Sequence, residues 1–201
     1  MEIDFVQTAL ALCVGISLSA ACGFRVFIPL LVMSISMRLG WFTPAENLAW
    51  VGSDTAFYCL CAATLAEVIA YYIPLIDNIL DTITTPAALI AGAIITAGML
   101  GDLPDWLQWS AGIIAGAGAA GTVQLGTASV RATGTATTAG ISTPIISTIE
   151  NLMATVGSLL AVILPILAVV GAVLFIALGF FTIRKIRDFI ARRAGTPRTA
   201  H

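Results

Sequence analysis

Residues 5–37 read FVQTALALCVGISLSAACGFRVFIPLLVMSISM, and Arg25 is the only charge among them. As one straight helix the stretch would be about 50 Å long at about 1.5 Å per residue. A bilayer's hydrocarbon core is about 30 Å thick, and about 20 apolar residues cross it. The segment therefore reads as a membrane span too long to be straight. It carries Gly23, Arg25 and Pro29. Pro29 lacks a backbone N–H, and its ring clashes with the carbonyl four residues back, that of Arg25. A kink or break is predicted at the residue that bears the charge.

The same reading extends along the chain. Residues 55–76 hold one charge, Glu67; 82–101 and 106–130 hold none; 132–183 hold only Glu150. Six spans are expected, at 5–37, 55–73, 84–101, 107–130, about 139–157 and about 160–183, with Gly157-Ser158 as the last turn. Thr85-Pro86 and Thr143-Pro144 each put a capping hydroxyl before a first-turn proline, a helix-start pattern. Thr43-Pro44-Ala45-Glu46 is a capping box, which predicts a short interfacial helix in the first loop.

Composition agrees. Of 201 residues, 59% are hydrophobic and only 10% charged, and the mean hydropathy is +1.00. A soluble domain of this size cannot hide so much apolar surface. A soluble enzyme, a disordered chain and a nucleic-acid binder are excluded, the last also by a net charge of −2. Cys13, Cys22, Cys59 and Cys61 lie in apolar runs without a CxxC pair, and His201 is the only histidine. No metal site and no cofactor are expected. The Met1-Glu-Ile-Asp4 start lacks the basic region of a cleaved signal, so the first segment reads as a retained anchor.

Lysine and arginine set orientation. Arg184, Lys185, Arg187, Arg192, Arg193 and Arg198 put the tail in the cytoplasm, and six spans return the N-terminus to the same side. Arg131 then falls in an inner loop and Arg38 outside. Trp41, Trp50, Trp106 and Trp109 map to the outer interface, Tyr71 and Tyr72 to the inner one.

The halves resemble each other. Thr64-Leu-Ala-Glu67 matches Ser147-Thr-Ile-Glu150, Pro86-x5-Gly92-Ala93 matches Pro165-x5-Gly171-Ala172, and Ser19–Gly23 matches Gly118–Gly121 in small residues. Residues 1–101 and 102–185 would be half-repeats, with 186–201 a basic cytoplasmic tail. Three spans per half would invert the copies, a recurring transporter design with interrupted helices at matched positions. The expected fold is all-α integral membrane, a 3+3 inverted repeat with an interrupted first helix in each half. The glycines of the second half, such as Gly112/Gly116 and Ala117/Gly121, also suit plain close packing of helices.

Arg25, Glu67 and Glu150 lie inside spans, where each charge costs roughly 2.5–3.5 kcal/mol on insertion scales. They are the candidate substrate- or ion-binding residues, joined by Gln124, with Arg25 expected to pair with a glutamate. The rival reading is an ion pair that only fixes helix register. Gly23 and Pro29 mark the helix break. Asp77, Asn78 and Asp81 form a second polar cluster; Asp77 and Asp81 share a helix face and read either as a cation attractor or as a solvated turn. Arg131–Thr143, RATGTATTAGIST, reads as a re-entrant or flexible loop. There is no nucleophile elbow, H-E-x-x-H or P-loop, so no enzyme is expected and no catalytic residue is named.

Gly23-Phe-Arg-Val-Phe-Ile-Pro-Leu-Leu31, Ala49-Trp-Val-Gly-Ser53, Ile73-Pro-Leu-Ile-Asp-Asn-Ile-Leu-Asp81 and Ser147-Thr-Ile-Glu150 together resemble a bacterial membrane family known as domain of unknown function four-one-two-six. The resemblance covers nearly the whole chain. It implies a small integral protein of the bacterial inner membrane and lends no activity, substrate or cofactor. The expected function is a small transporter- or channel-like protein with a polar intramembrane site. The alternative is a non-transporting scaffold packed through glycine-rich helix faces. The expected partners are the lipid bilayer, a small solute or ion and a second copy of the chain, with no nucleic acid.

Overall fold

The computed structural model describes residues 5–41, 46–73, 76–138 and 141–171, and beyond these 173, 174, 177, 181 and 184; at 77 and 78 it describes the backbone alone. Helices run in the order α1 (Phe5–Cys22), α2 (Phe27–Arg38), a 3-10 helix (Glu46–Gly52), α3 (Asp54–Ala70), α4 (Ile76–Met99), α5 (Asp105–Ala111), a π-helical stretch (Gly112–Ala117), α6 (Gly118–Thr138) and α7 (Thr143–Ile163). No strand occurs among the described residues. Four helices are long and apolar enough to cross a membrane, or five if the 3-10 helix and α3, bent by 66°, count as one span. Apolar side chains such as Ile83, Ile90, Ile114 and Leu152 face outward along these helices. The protein is an all-helical membrane protein.

The first long segment is broken, as its sequence predicts. Gly23 and Phe24 bond back to the carbonyls of Ala20 and Ala21, closing α1, and α2 starts anew at Phe27. Pro29 falls in the first turn of α2, where a missing N–H costs no helical bond. It therefore starts a second helix rather than kinking a continuous one. Ser53 caps α3 by accepting from the Ala56 N–H at 3.2 Å. The short helix expected in the first loop is the 3-10 helix; the capping residues Thr43–Ala45 lie outside the described residues.

Other boundaries differ from expectation. The third span does not begin at 84: α4 runs from Ile76, and Pro86 is internal. The Thr85 hydroxyl donates to the Asp81 carbonyl at 2.6 Å, a bond in the turn that the proline weakens. The threonine-rich stretch after Arg131 is neither re-entrant nor a loop through Thr138; it continues α6. Its hydroxyls bond back along the same helix, Thr133 to the Ser129 carbonyl at 2.8 Å and Thr138 to that of Gly134 at 2.7 Å. Nor does the chain turn at Gly157-Ser158. It stays helical to Ile163 and breaks at Leu164 (φ −135°, ψ 70°). Pro165 follows, and a residue before proline is pushed out of the α region. The expected start at Thr143-Pro144 holds within one residue, with Ser142 at the cap position. The first segment of the second half is not interrupted: residues Asp105–Thr138 run on as one 34-residue helical stretch containing the π-helical segment.

Glycines set the central contact. A Cβ at Gly116 would lie 2.2 Å from the Gly92 carbonyl oxygen, and one at Gly112 would lie 2.5 Å from that of Ala93. The backbone of α4 thus touches that of the π-helical stretch. The packing reading of Gly112 and Gly116 holds. Ser19 of α1 closes the same contact, donating to the Gly92 carbonyl at 2.8 Å and meeting Thr96 Oγ1 at 2.9 Å. Tail residues 185–201 lie outside the described residues.

Candidate functional site

Arg25 sits in the gap between α1 and α2, and only 1% of it is exposed. Such a guanidinium must find its partners inside the protein. Its Nη1 donates to Glu150 Oε2 at 2.8 Å and to the Phe24 carbonyl at 3.1 Å, and its Nε donates to Asn151 Oδ1 at 2.7 Å. Ser147, Glu150 and Asn151 share one face of α7 at helical spacing, and the Ser147 carbonyl accepts from Arg25 Nη2 at 3.5 Å.

Glu150 faces a second buried cation. Its Oε1 lies 3.1 Å from Arg131 Nε, an ion pair outside hydrogen-bond geometry, so neither atom has a hydrogen-bond partner. Arg131 Nη1 pairs with Asp81 Oδ1 of α4, and its Nη2 reaches Thr127 Oγ1 at 3.4 Å. Arg131 is thus not in an inner loop; it is 1% exposed in the core. Both guanidinium carbons lie over the Tyr71 ring, Arg25 at 3.8 Å and Arg131 at 4.7 Å from its centroid. Tyr71, expected at the membrane interface, is buried as well. Its hydroxyl lies 3.1 Å from Asp81 Oδ1 and 2.8 Å from Thr84 Oγ1. Ser147 Oγ fixes the Tyr71 backbone by donating to its carbonyl at 2.9 Å.

Gln124 is 1% exposed and joins the network at its edge, donating from Nε2 to Thr84 Oγ1 at 3.3 Å. The consistent donor order runs from Gln124 to Thr84, to Tyr71 and to Asp81. Asp81 is therefore no solvated turn. Asp77 and Asn78 precede it on α4, and their side chains lie outside the description.

Glu67 stands differently. It does not pair with Arg25. Its Oε1 accepts from the Val26 N–H at 2.8 Å and its Oε2 from the Phe27 N–H at 3.1 Å. Both amides belong to the start of α2, where N–H groups lack helical partners and the dipole favours an anion. The carboxylate of α3 thus caps α2 in trans. The two glutamates converge on the same break, Glu67 on its amides and Glu150 on its arginine. Gly23 lets α6 come close: a Cβ there would lie 2.5 Å from the Ala120 carbonyl oxygen.

The sequence reading brought out Arg25, Glu150, Glu67 and Gln124 but missed Arg131, Tyr71, Asn151 and the core role of Asp81. Helical spacing held the signal. Gln124, Thr127 and Arg131 recur at i, i+3 and i+7, Glu67 and Tyr71 at i and i+4, and Asp81, Thr84 and Thr85 at i, i+3 and i+4.

The network is closed. Glu67 is 5% and Glu150 4% exposed. An apolar cavity of about 160 Å³ lies nearby, lined by residues such as Ala20, Phe24, Val123 and Leu160, and includes none of the four charged side chains Arg25, Glu67, Arg131 and Glu150. Among the described residues no group of three His, Cys, Asp or Glu is placed to hold a metal ion. Buried ion pairs repay desolvation only with good geometry and further hydrogen bonds. Here each arginine has both a carboxylate and neutral partners.

No curated protein and no solved structure matches the chain. A family model does, over residues 12–185, which takes in the broken span, both glutamates, Arg131 and Tyr71. The chain belongs to the family described as domain of unknown function (DUF4126).

Proposed function

We propose that this is a small transporter- or channel-like protein of the bacterial inner membrane, and that the Arg25–Glu150–Arg131–Asp81 network is its polar intramembrane site in a closed state. The observation that carries the reading is the broken span. An apolar segment stops at its one charged residue, and two other elements supply carboxylates to the gap. Broken helices whose ends meet charged groups are a recurring feature of transport sites. Intramembrane charges are expensive and are functional by default.

Two contacts support a 3+3 inverted repeat of six spans; the reading of both termini as cytoplasmic rests on the lysine and arginines of residues 184–198. The matched glutamates meet at one break, and the matched small-residue segments touch where Gly23 approaches Ala120. The transported species is a small solute or ion. A scaffold that docks partners through its glycine faces is less well supported. Gly92, Gly112 and Gly116 are already consumed in the contact of α4 with the π-helical stretch.

The test is a double replacement, Arg25→Met with Glu150→Leu, scored for folding and for complementation of a chromosomal deletion. Recovered folding without complementation supports a transport site. Full complementation would reduce the pair to a register lock.

A further inference from the structure

We propose that Glu67 is a proton-binding residue of this site, and that its protonation releases the N-terminus of α2. This rests on the transport reading above and names the proton as an ion the site takes.

Three carboxylates and two guanidiniums meet here, and the guanidiniums are spoken for. Glu150 bridges Arg25 and Arg131, and Asp81 pairs with Arg131. Protonating Glu150 would leave Arg25 without a carboxylate, and protonating Asp81 would leave Arg131 only the Glu150 oxygen that lies outside hydrogen-bond geometry. A buried cation short of a partner is costly. Glu67 takes part in none of the ion pairs among the described residues, so a proton can neutralise it and leave each guanidinium its partner. The neighbouring titratable and charged groups are Cys22 and Arg25 at the break, Tyr71 on the exit of α3, Asp81 on α4, Arg131 on α6 and Glu150 on α7. The other charges on α2 and α3, Arg38 and Asp54, pair with each other at 2.7 Å at the far ends of those helices.

Geometry turns the proton into a movement. Each Glu67 oxygen accepts one backbone N–H, from Val26 and from Phe27, which is the bonding of an ionised carboxylate. One proton from the aqueous phase forms one O–H bond. That oxygen loses its negative charge and keeps only its remaining lone pair to accept with, so one of the two amide bonds changes from charge-assisted to weak. The new O–H needs an acceptor. Thr64 lies one turn earlier on the same face of α3, and its Oγ1 is buried with no hydrogen-bond partner. The break between α1 and α2 is thus latched by a carboxylate and unlatched by its proton.

The test is infrared difference spectroscopy of the full chain in lipid nanodiscs, titrated with acid. The acid difference spectrum of the parent should contain, beyond the bands of the chain's other carboxyls, a protonated-carboxyl C=O component that is missing in Glu67→Gln and kept in Asp54→Asn; Glu67→Asp should keep it at a shifted frequency. Spin labels at Leu10 on α1 and Ile35 on α2 should change separation on acidification in the parent, and Glu67→Gln should hold the acid separation throughout. Parent and Glu67→Gln spectra with the same carboxyl bands, or a label separation indifferent to both acid and mutation, overturn the proposal. The transport reading is judged separately, by water access to Ser147. A Glu67 band with Ser147 dry keeps the proton site and removes transport; an accessible Ser147 without the band overturns the proton site alone.

Discussion

Arg25 and Glu150, 125 residues apart in the chain, meet at 2.8 Å in the core. The contact joins the gap between α1 and α2 to the middle of α7, and Glu150 extends it to Arg131. One carboxylate therefore answers two buried guanidiniums.

That asymmetry sets the first prediction. Glu150→Leu should destabilise more than Arg25→Met, because it leaves Arg25 without a carboxylate and Arg131 with Asp81 alone, whereas Arg25→Met leaves Glu150 its ion pair with Arg131. Breaking a buried pair typically costs about 3–5 kcal/mol, whereas removing both partners is often near neutral. Unfolding in mixed micelles should rank Glu150→Leu lowest, with Arg25→Met plus Glu150→Leu above it. Equal stability of all three variants and the parent would refute the burial of the network.

The second prediction concerns the contact of α4 with the π-helical stretch. A Cβ at Gly116 would lie 2.2 Å from a backbone oxygen, whereas one at Gly118 would meet nothing within 4 Å. Gly116→Ala should cost about 1–3 kcal/mol through forced separation of backbones. Gly118→Ala should stay within about 0.5 kcal/mol of the parent. Thermal stability measured in one detergent compares them directly, and similar values would dismiss the close approach.

The membrane class, the broken first span and the pairing of Arg25 with a glutamate were legible in the sequence, because charge inside an apolar run is a strong signal; which of Glu67 and Glu150 takes the arginine was not. The outer limits of several helices were not. Pro86 and the Thr-Gly stretch after Arg131 look like punctuation, yet helix-internal hydroxyl bonds keep α4 and α6 going. Reading α6 as ended at Val130 also took Arg131 out of the membrane, and with it half of the site. Tyr71 was hidden for another reason: an aromatic beside a helix end suits an interface as well as a cation-lined core, and only the fold decides between them.

Tyr71 supplies the third prediction. Its ring lies under both guanidiniums and its hydroxyl meets Asp81 and Thr84. Tyr71→Phe keeps the ring and loses the hydroxyl bonds, worth about 0.5–1.5 kcal/mol each. Tyr71→Leu also loses two cation–π contacts, each worth up to about 2 kcal/mol when desolvated. Stability should fall in the order parent, Phe, Leu. A Leu variant as stable as the Phe variant would show that the ring contributes only volume.

The central claim is that this closed polar network opens to water. Ser147 lies in its middle, fully buried, with its hydroxyl on the Tyr71 carbonyl. The direct measurement is labelling of Ser147→Cys by a membrane-impermeant maleimide, with Cys13, Cys22, Cys59 and Cys61 replaced, in oriented vesicles. Exposed Thr148→Cys serves as the reactive control. The account predicts slow labelling of Ser147→Cys from one aqueous face, orders of magnitude below the control but complete in time. No labelling from either face, with the control fully modified, would contradict it and leave a dry scaffold held in register by its charges.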